Sequence, residues 1–222
     1  KADPESYEHF YYGTQFMKAI QVPISSTTLK EMFAPVMHAE ARKHIRASSY
    51  EQIYGIPMLL PLLDGDSEQQ YRKYRLMLRQ QEDESKSALH LRLLAGLDRV
   101  IPESDDDYRL AILYYSGDLS RGNMHIRAMI EDVVPSVASA VQDILRNMSG
   151  IDVPRLTQAL GLPEQFTLHA LSDLPSMLAN AFGPGYVWDS LQKVLHRQPI
   201  RIDRLHEMTA RKCNDSAKLD NW

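Results

Sequence analysis

Tyr108-Arg-Leu-Ala-Ile-Leu-Tyr-Tyr115, then Ser116-Gly-Asp-Leu-Ser-Arg-Gly-Asn123, then Met124-His-Ile-Arg-Ala-Met-Ile130: the reading of this stretch decides the fold. The first run is apolar with tyrosines at both ends. The middle run is rich in Ser, Gly, Asp and Asn. In the last run Met124, Ile126, Ala128 and Ile130 alternate with His125, Arg127 and Met129. Side chains of a strand point to opposite faces in turn, so alternation of period two marks a half-buried strand. Two such runs joined by a Gly-containing loop predict an antiparallel hairpin with an eight-residue connection, Ser116 to Asn123. Glu131-Asp-Val-Val-Pro-Ser136 turns the chain. Val137, Val141, Ile144, Leu145 and Met148 then recur at helical spacing, with Ser136 as the expected N-cap.

Working outward, Tyr7 to Met17 is dense in aromatics and reads as a strand or short helix, and Lys18 to Val22 reads as extended before Pro23. A helix is expected from Leu29 to about Ile45, divided at Pro35. Ile53 to Leu63 holds Gly55, Pro57 and Pro61 and reads as apolar loop; a helix follows from Glu68, and another spans Ala88 to Leu97. Beyond Gly150 the pattern is helical: a short segment from Pro154, segments over 163–171 and 173–182 with an Asp173 cap, Val187 to His196, and Leu205 to about Lys212 with an Asp203 cap. Residues 214–222 are expected to be loose. The fold class is therefore α+β, predominantly helical, with a small antiparallel hairpin or sheet in the first two-thirds. The expected organisation is an α+β region over 1–150, with the hairpin and its helix at the centre, and a helical region over 151–222.

Composition narrows the function. The chain has 222 residues, enough to bury about 70% of its unfolded surface without staples. Cys213 is the single cysteine, which leaves no intramolecular disulfide and no Cys-based zinc site and fits a reducing, cytoplasmic setting. No apolar run is long enough to span a membrane, and Lys1-Ala-Asp-Pro-Glu5 is too polar and acidic for a signal peptide. The sequence does not open on Met and is expected to be part of a longer chain. A net charge of −4 argues against nucleic-acid binding over the whole surface but leaves room for a local basic face.

No catalytic machinery is legible. His38-Ala-Glu40 has no Pro-Cys-x-x-Cys partner to complete a deaminase zinc site. His38, Glu40 and His44 miss the spacing of a His-Glu-x-x-His helix. Asp105-Asp-Asp107 and Glu131-Asp132 supply carboxylates that suit Mg²⁺, but no phosphate-cradling loop accompanies them, and solvated acidic loops are the commoner reading. No metal, no cofactor and no catalytic residue is assigned. Two clusters are candidates for nucleic-acid contact. Arg121, Asn123, His125 and Arg127 lie on the hairpin, beside Gly122, which permits close backbone approach. Arg72, Lys73, Arg75 and Arg79 interleave with Tyr71 and Tyr74, combining phosphate partners with stacking surfaces. The bland readings are a wet sheet face and a helix with tyrosines inward and arginines outward. Arg197, Arg201 and Arg204 form a weaker basic group.

Leu113-Tyr-Tyr115, Met124-His-Ile126 and Ile130-Glu-Asp-Val-Val-Pro-Ser136 together resemble the large subunit of the type I-B CRISPR interference complex, Cascade. The resemblance covers 108–148 and extends in weaker form over 186–208, around Gln198-Pro-Ile200. It implies a non-enzymatic subunit of an RNA-guided DNA surveillance assembly. Such a subunit reads the motif flanking the target (the PAM), aids duplex opening, and recruits an effector nuclease. The implied partners are guide RNA, the other Cascade backbone subunits, target double-stranded DNA, and a helicase-nuclease or transposition proteins, with no membrane. Longer members of the family carry a C-terminal helical bundle that is not expected here. Two other classes stay open: a helical interaction scaffold of another assembly without nucleic acid, and a metal-dependent hydrolase whose ligands meet only in three dimensions.

Overall fold

The computed structural model describes residues 3–24, 32–33, 52–62, 68, 71–72, 75, 88–102, 106–150, 153–159, 161 and 173–219. The fold is α+β with helix predominating and all described strands in the first two-thirds of the chain. In chain order the elements are α1 (Pro4–Ile20), β1 (Val22–Pro23), β2 (Ile53–Pro61), β3 (Ala88–His90), α2 (Leu91–Ala95), β4 (Val100–Pro102), β5 (Tyr108–Asp118), β6 (Asn123–Val133), α3 (Pro135–Ser149), α4 (Val153–Ala159), α5 (Leu174–Phe182), α6 (Val187–Leu195) and α7 (Ile202–Leu219). The main sheet is antiparallel in the order β1-β2-β5-β6; β3 and β4 form a separate two-stranded ribbon.

The hairpin β5–β6 is present, and its connection is shorter than the sequence predicts. The strands run on to Asp118 and from Asn123, leaving a single 3-10 turn at Leu119–Arg121 and Gly122 in the left-handed region. Asp118 holds that turn by accepting from the Ser120 N–H at 2.8 Å.

The larger surprise is β2. Gly55, Pro57 and Pro61 read as loop, yet Ile53 to Pro61 pairs residue for residue with β5. Two local facts make this possible. β1 covers β2 only at Tyr54 and Gly55, so Pro57 lies where the outer edge of β2 has no strand beside it among the described residues. A proline without an N–H is tolerated on such an edge. Gly55 is required because a Cβ there would collide with the buried Leu97 side chain.

Both faces of β5 are buried from Leu110 to Ser116. On one face Tyr114 is the meeting point. Its hydroxyl donates to the Ala95 carbonyl at 2.9 Å, and its ring meets Phe33 and Trp188 edge-on at 6.0 and 5.3 Å. Trp188 in turn donates to the Met32 carbonyl at 2.7 Å. On the other face Tyr115 stacks on its cross-strand neighbour Tyr54 at 5.6 Å and donates to the side chain of Gln21, just past α1. One apolar cluster includes Ile20, Leu89, Leu94, Ile112 and Ile130 together with Leu174, Leu178, Leu191 and Leu195, so residues before and after Gly150 share a core.

Several other expectations are corrected. Tyr7 to Met17 lies within one helix, α1, which continues through Lys18 to Ile20. Ala88 to Leu97 splits into β3 and the short α2, ended by Gly96 in the left-handed conformation. Ser136 is not the cap of α3: Val134 occupies that position, Pro135 opens the helix, and the Asp106 carboxylate accepts from both the N–H and the hydroxyl of Ser136 at 2.8 and 2.7 Å. The last helix begins at Ile202 and continues to Leu219 rather than ending near Lys212. Asp173 does cap α5, accepting from the Ser176 N–H at 2.8 Å. Of the helix expected from Leu29 to Ile45 only residues 32–33 are described, and the segment expected helical over 163–171 lies outside the described residues.

Candidate nucleic-acid interface

The hairpin brings Arg121, Asn123, His125 and Arg127 to one end of the sheet, all exposed. β6 is the edge strand, and its register against β5 shifts twice. Tyr114 faces Ala128 and Tyr115 faces Ile126, so Arg127 is an extra residue: a β-bulge. A bulge resets the alternation. Simple period two puts Met124 and Ile126 with Ala128 and Ile130. Instead, Met124 and Ile126 lie on the face of Tyr115, and His125, opposite Ser116, lies on the face of Tyr114. Ile126 is consequently 62% exposed. Arg127 donates through Nε to the Ser116 hydroxyl at 2.8 Å, which keeps it beside His125 despite the reset.

Arg121 stands at the tip, 3.4 Å from the Asp118 carboxylate in an exposed pair. The Ser120 backbone N–H is the main cause that holds the Asp118 carboxyl below its ordinary range; Arg121 and Lys18 add to it. Asp118 therefore stays ionised and offsets part of the positive tip. The far end of β6 has the opposite sign. The second register shift falls there, with Asp132 at φ 53° and its carboxylate 3.4 Å from Arg109. Side chains of α6 close the outer edge of that half: Gln192 donates to the Met129 carbonyl at 3.3 Å, and the His196 ring meets the Glu131 carbonyl at 2.7 Å. The edge is thus covered from Met129 onward, and the basic half is the half these side chains leave.

The second predicted cluster is only partly described. Arg72 pairs with Glu68 at 2.7 Å, and Arg75 lies 5.9 Å above the Tyr71 ring. Tyr71 is exposed, so the tyrosine-inward reading does not hold for it. Lys73 and Arg79 lie outside the described residues. Arg201 and Arg204 line a cavity of about 470 Å³ between α5, α6 and α7, with Tyr186, Asp189, Lys193 and Glu207. Each cation has an acidic partner: Arg201 with Asp203, Arg204 with Glu207, and Lys193 with Asp189. Arg204 also lies over the Tyr186 ring at 4.3 Å. The sequence shows the arginines but neither their partners nor the cavity, which exists only where α5, α6 and α7 come together around the non-helical Pro199 connection.

Among the described residues no three His, Cys, Asp or Glu side chains converge on a possible metal position. Asp106 is engaged by Ser136 at the start of α3 and Asp132 by Arg109. No described helix is long and apolar enough to cross a membrane. Compared with protein-family models, curated proteins and solved structures, the chain matches none.

Proposed function

We propose that this chain is part of the large subunit of a type I-B CRISPR interference complex, a non-enzymatic, cytoplasmic, DNA-contacting component. The observation that carries the reading is that the three motifs of the resemblance fall on one continuous unit. Leu113-Tyr-Tyr115 lies in β5, Met124-His-Ile126 opens β6, and Ile130-Glu-Asp-Val-Val-Pro-Ser136 is the passage from β6 into α3. The unit ends in an exposed tip with two guanidinium groups, a histidine and an amide. That set is chemically suited to phosphate oxygens and to purine edges in a groove. In such an assembly sequence selection belongs to the guide RNA, while the protein supplies contact to a short flanking duplex, support for the opened strand, and a surface for the recruited helicase-nuclease or transposition proteins.

The test is reconstitution with candidate guide RNA and backbone subunits, followed by titration of target duplex at several salt concentrations. Replacing both Arg121 and Arg127 by Ala is expected to weaken binding and flatten the salt dependence by about 1.8 logarithmic units per decade, at ~0.9 per lost phosphate contact. Loss confined to one flanking sequence assigns the tip to base edges. If the intact chain neither enters the assembly nor changes its DNA affinity, the reading is wrong, and a scaffold role without nucleic acid takes its place.

A further inference from the structure

The first turns of α1 present an apolar surface of a different kind from the hairpin. Tyr7, Phe10, Tyr11 and Tyr12 are 66, 62, 50 and 61% exposed. Tyr7, Phe10, Thr14 and Met17 recur at i, i+3, i+7 and i+10, one stripe along the helix. The stripe is buried at Thr14, half-buried at Met17, and uncovered at Phe10 and Tyr7. The helix thus anchors its C-terminal half through Thr14 and Ile20 and overhangs with the rest. Tyr7, Phe10 and Tyr11 fall within about 100° of the helix surface, with Tyr12 at its border, and together leave roughly 200–400 Å² of ring surface in water, the scale at which an exposed apolar patch marks an interaction site. An overhanging helix of Ala and Lys would be as well solvated without such rings.

Charge decides the occupant. Asp3, Glu5 and Glu8 lie among the aromatics, and from Asp3 to Met17 there is no Lys or Arg. Glu8 neighbours Tyr11 and Tyr12 at i+3 and i+4. An acidic rim repels phosphate, so neither a nucleic-acid strand nor an anionic bilayer fits. Two copies of α1 laid together would oppose six carboxylates. Electron-rich ring faces beside carboxylates instead suit guanidinium or ammonium groups, which meet rings face-on and acids as ion pairs.

We infer that the N-terminal half of α1 is a docking surface for a partner polypeptide segment that carries Arg or Lys beside an apolar stripe. This inference is independent of the proposed function and does not involve the hairpin tip.

The probe is a fluorescein-labelled synthetic helix of Leu, Ala, Arg and Lys with Leu at i, i+3, i+4 and i+7, titrated into the intact chain by anisotropy. A Glu-for-Arg/Lys peptide and a labelled single-stranded oligonucleotide run beside it. The cationic peptide is expected to bind, and the acidic peptide and the oligonucleotide not to bind at α1. Glu5→Lys/Glu8→Lys and, separately, Tyr7→Ser/Phe10→Ser/Tyr11→Ser should each weaken it by roughly tenfold or more, with melting temperature unchanged. Equal affinity in wild type and both variants overturns the inference. So does a large fall in melting temperature on removing the aromatics, which would mean that the chain itself covers them. Oligonucleotide binding that the aromatic variant abolishes, or a dimer in sedimentation that it dissociates, would assign the surface to nucleic acid or to a second copy and would also overturn it.

Discussion

Gln142 is the residue whose replacement tests the packing most sharply. It lies on α3, 2% exposed, and its amide reaches a strand 52 residues earlier in the chain. Its Oε1 accepts from the His90 N–H at 2.5 Å, and its Nε2 donates to the Ala88 carbonyl at 3.0 Å. Among the described residues β3 has only β4 as a strand neighbour, and the side chain of Gln142 acts as a one-residue third strand along its other edge. Gln142→Leu preserves volume and leaves one donor and one acceptor without partners. An unsatisfied buried group costs about 1–3 kcal/mol, and the Leu side chain regains part of this by apolar burial, for a net loss of about 2–4 kcal/mol. For a chain of this length that corresponds to a fall in melting temperature of roughly 5–15 °C. Urea denaturation followed by circular dichroism should show a lower midpoint with an unchanged slope. Gln142→Glu sharpens the test. A buried carboxylate facing the Ala88 carbonyl is raised in pKa, whereas its protonated form donates to that oxygen and still accepts from His90. The native state then binds the extra proton, so this variant, unlike wild type, gains stability relative to its value at pH 7 as the pH falls toward 5. A Gln142→Leu protein within about 0.5 kcal/mol of wild type would refute the strand-mimic account.

Two further outcomes follow from positions with unusual backbone or charge. Gly117 has φ 108°, and a Cβ there would overlap the Asn123 carbonyl across the hairpin, so Gly117→Ala should cost about 1–3 kcal/mol; Gly122, at φ 66° with open space around it, should tolerate Asn with little loss, both read by chemical denaturation. His90 is held below its ordinary pKa of 6.5, first by burial and then by Arg146. The unfolded chain therefore takes up this proton before the folded one does. The contribution is fully present above pH 6.5 and is lost as pH falls below it toward the depressed folded value, and His90→Gln should flatten the stability profile between pH 7 and 5.5.

The hairpin was legible because both runs keep their pattern over most of a strand's length, and the Asp173 cap because one side chain and one helix start suffice. What escaped was set by distant neighbours. Pro57 speaks against a strand, and it is tolerated where β2 has no partner on its outer edge among the described residues. Leu89 and Leu93 are spaced like a helix, yet Leu89 lies in β3, whose pairing with β4 cannot be seen from within the segment. The bulge at Arg127 has no local signature, so period two groups Ile126 with Ala128 and Ile130, whereas in the structure Ile126 lies on the face of Tyr115 and His125 on the face of Tyr114. Asn123, His125 and the two arginines are candidates on side-chain chemistry alone, and the structure brings them to one end of the sheet. Ser116 and Asp118, which orient the arginines, look like ordinary loop residues until β5 and β6 are paired.

The contact of Tyr114 with Phe33 and Trp188 also sets an order of events. Phe33 and Trp188 touch each other at 5.2 Å and each touches Tyr114, so the layer closes only when three widely separated parts of the chain meet. During synthesis the hairpin is complete as soon as Val133 has emerged, but Tyr114 must wait for α6 before Trp188 can reach it. Until then Tyr114 has Phe33 and the Ala95 carbonyl within its reach but lacks the Trp188 ring that completes the layer. Loop-closure entropy over such separations slows folding, so this three-ring layer joins the two ends of the chain at the cost of long-range contacts that must form late.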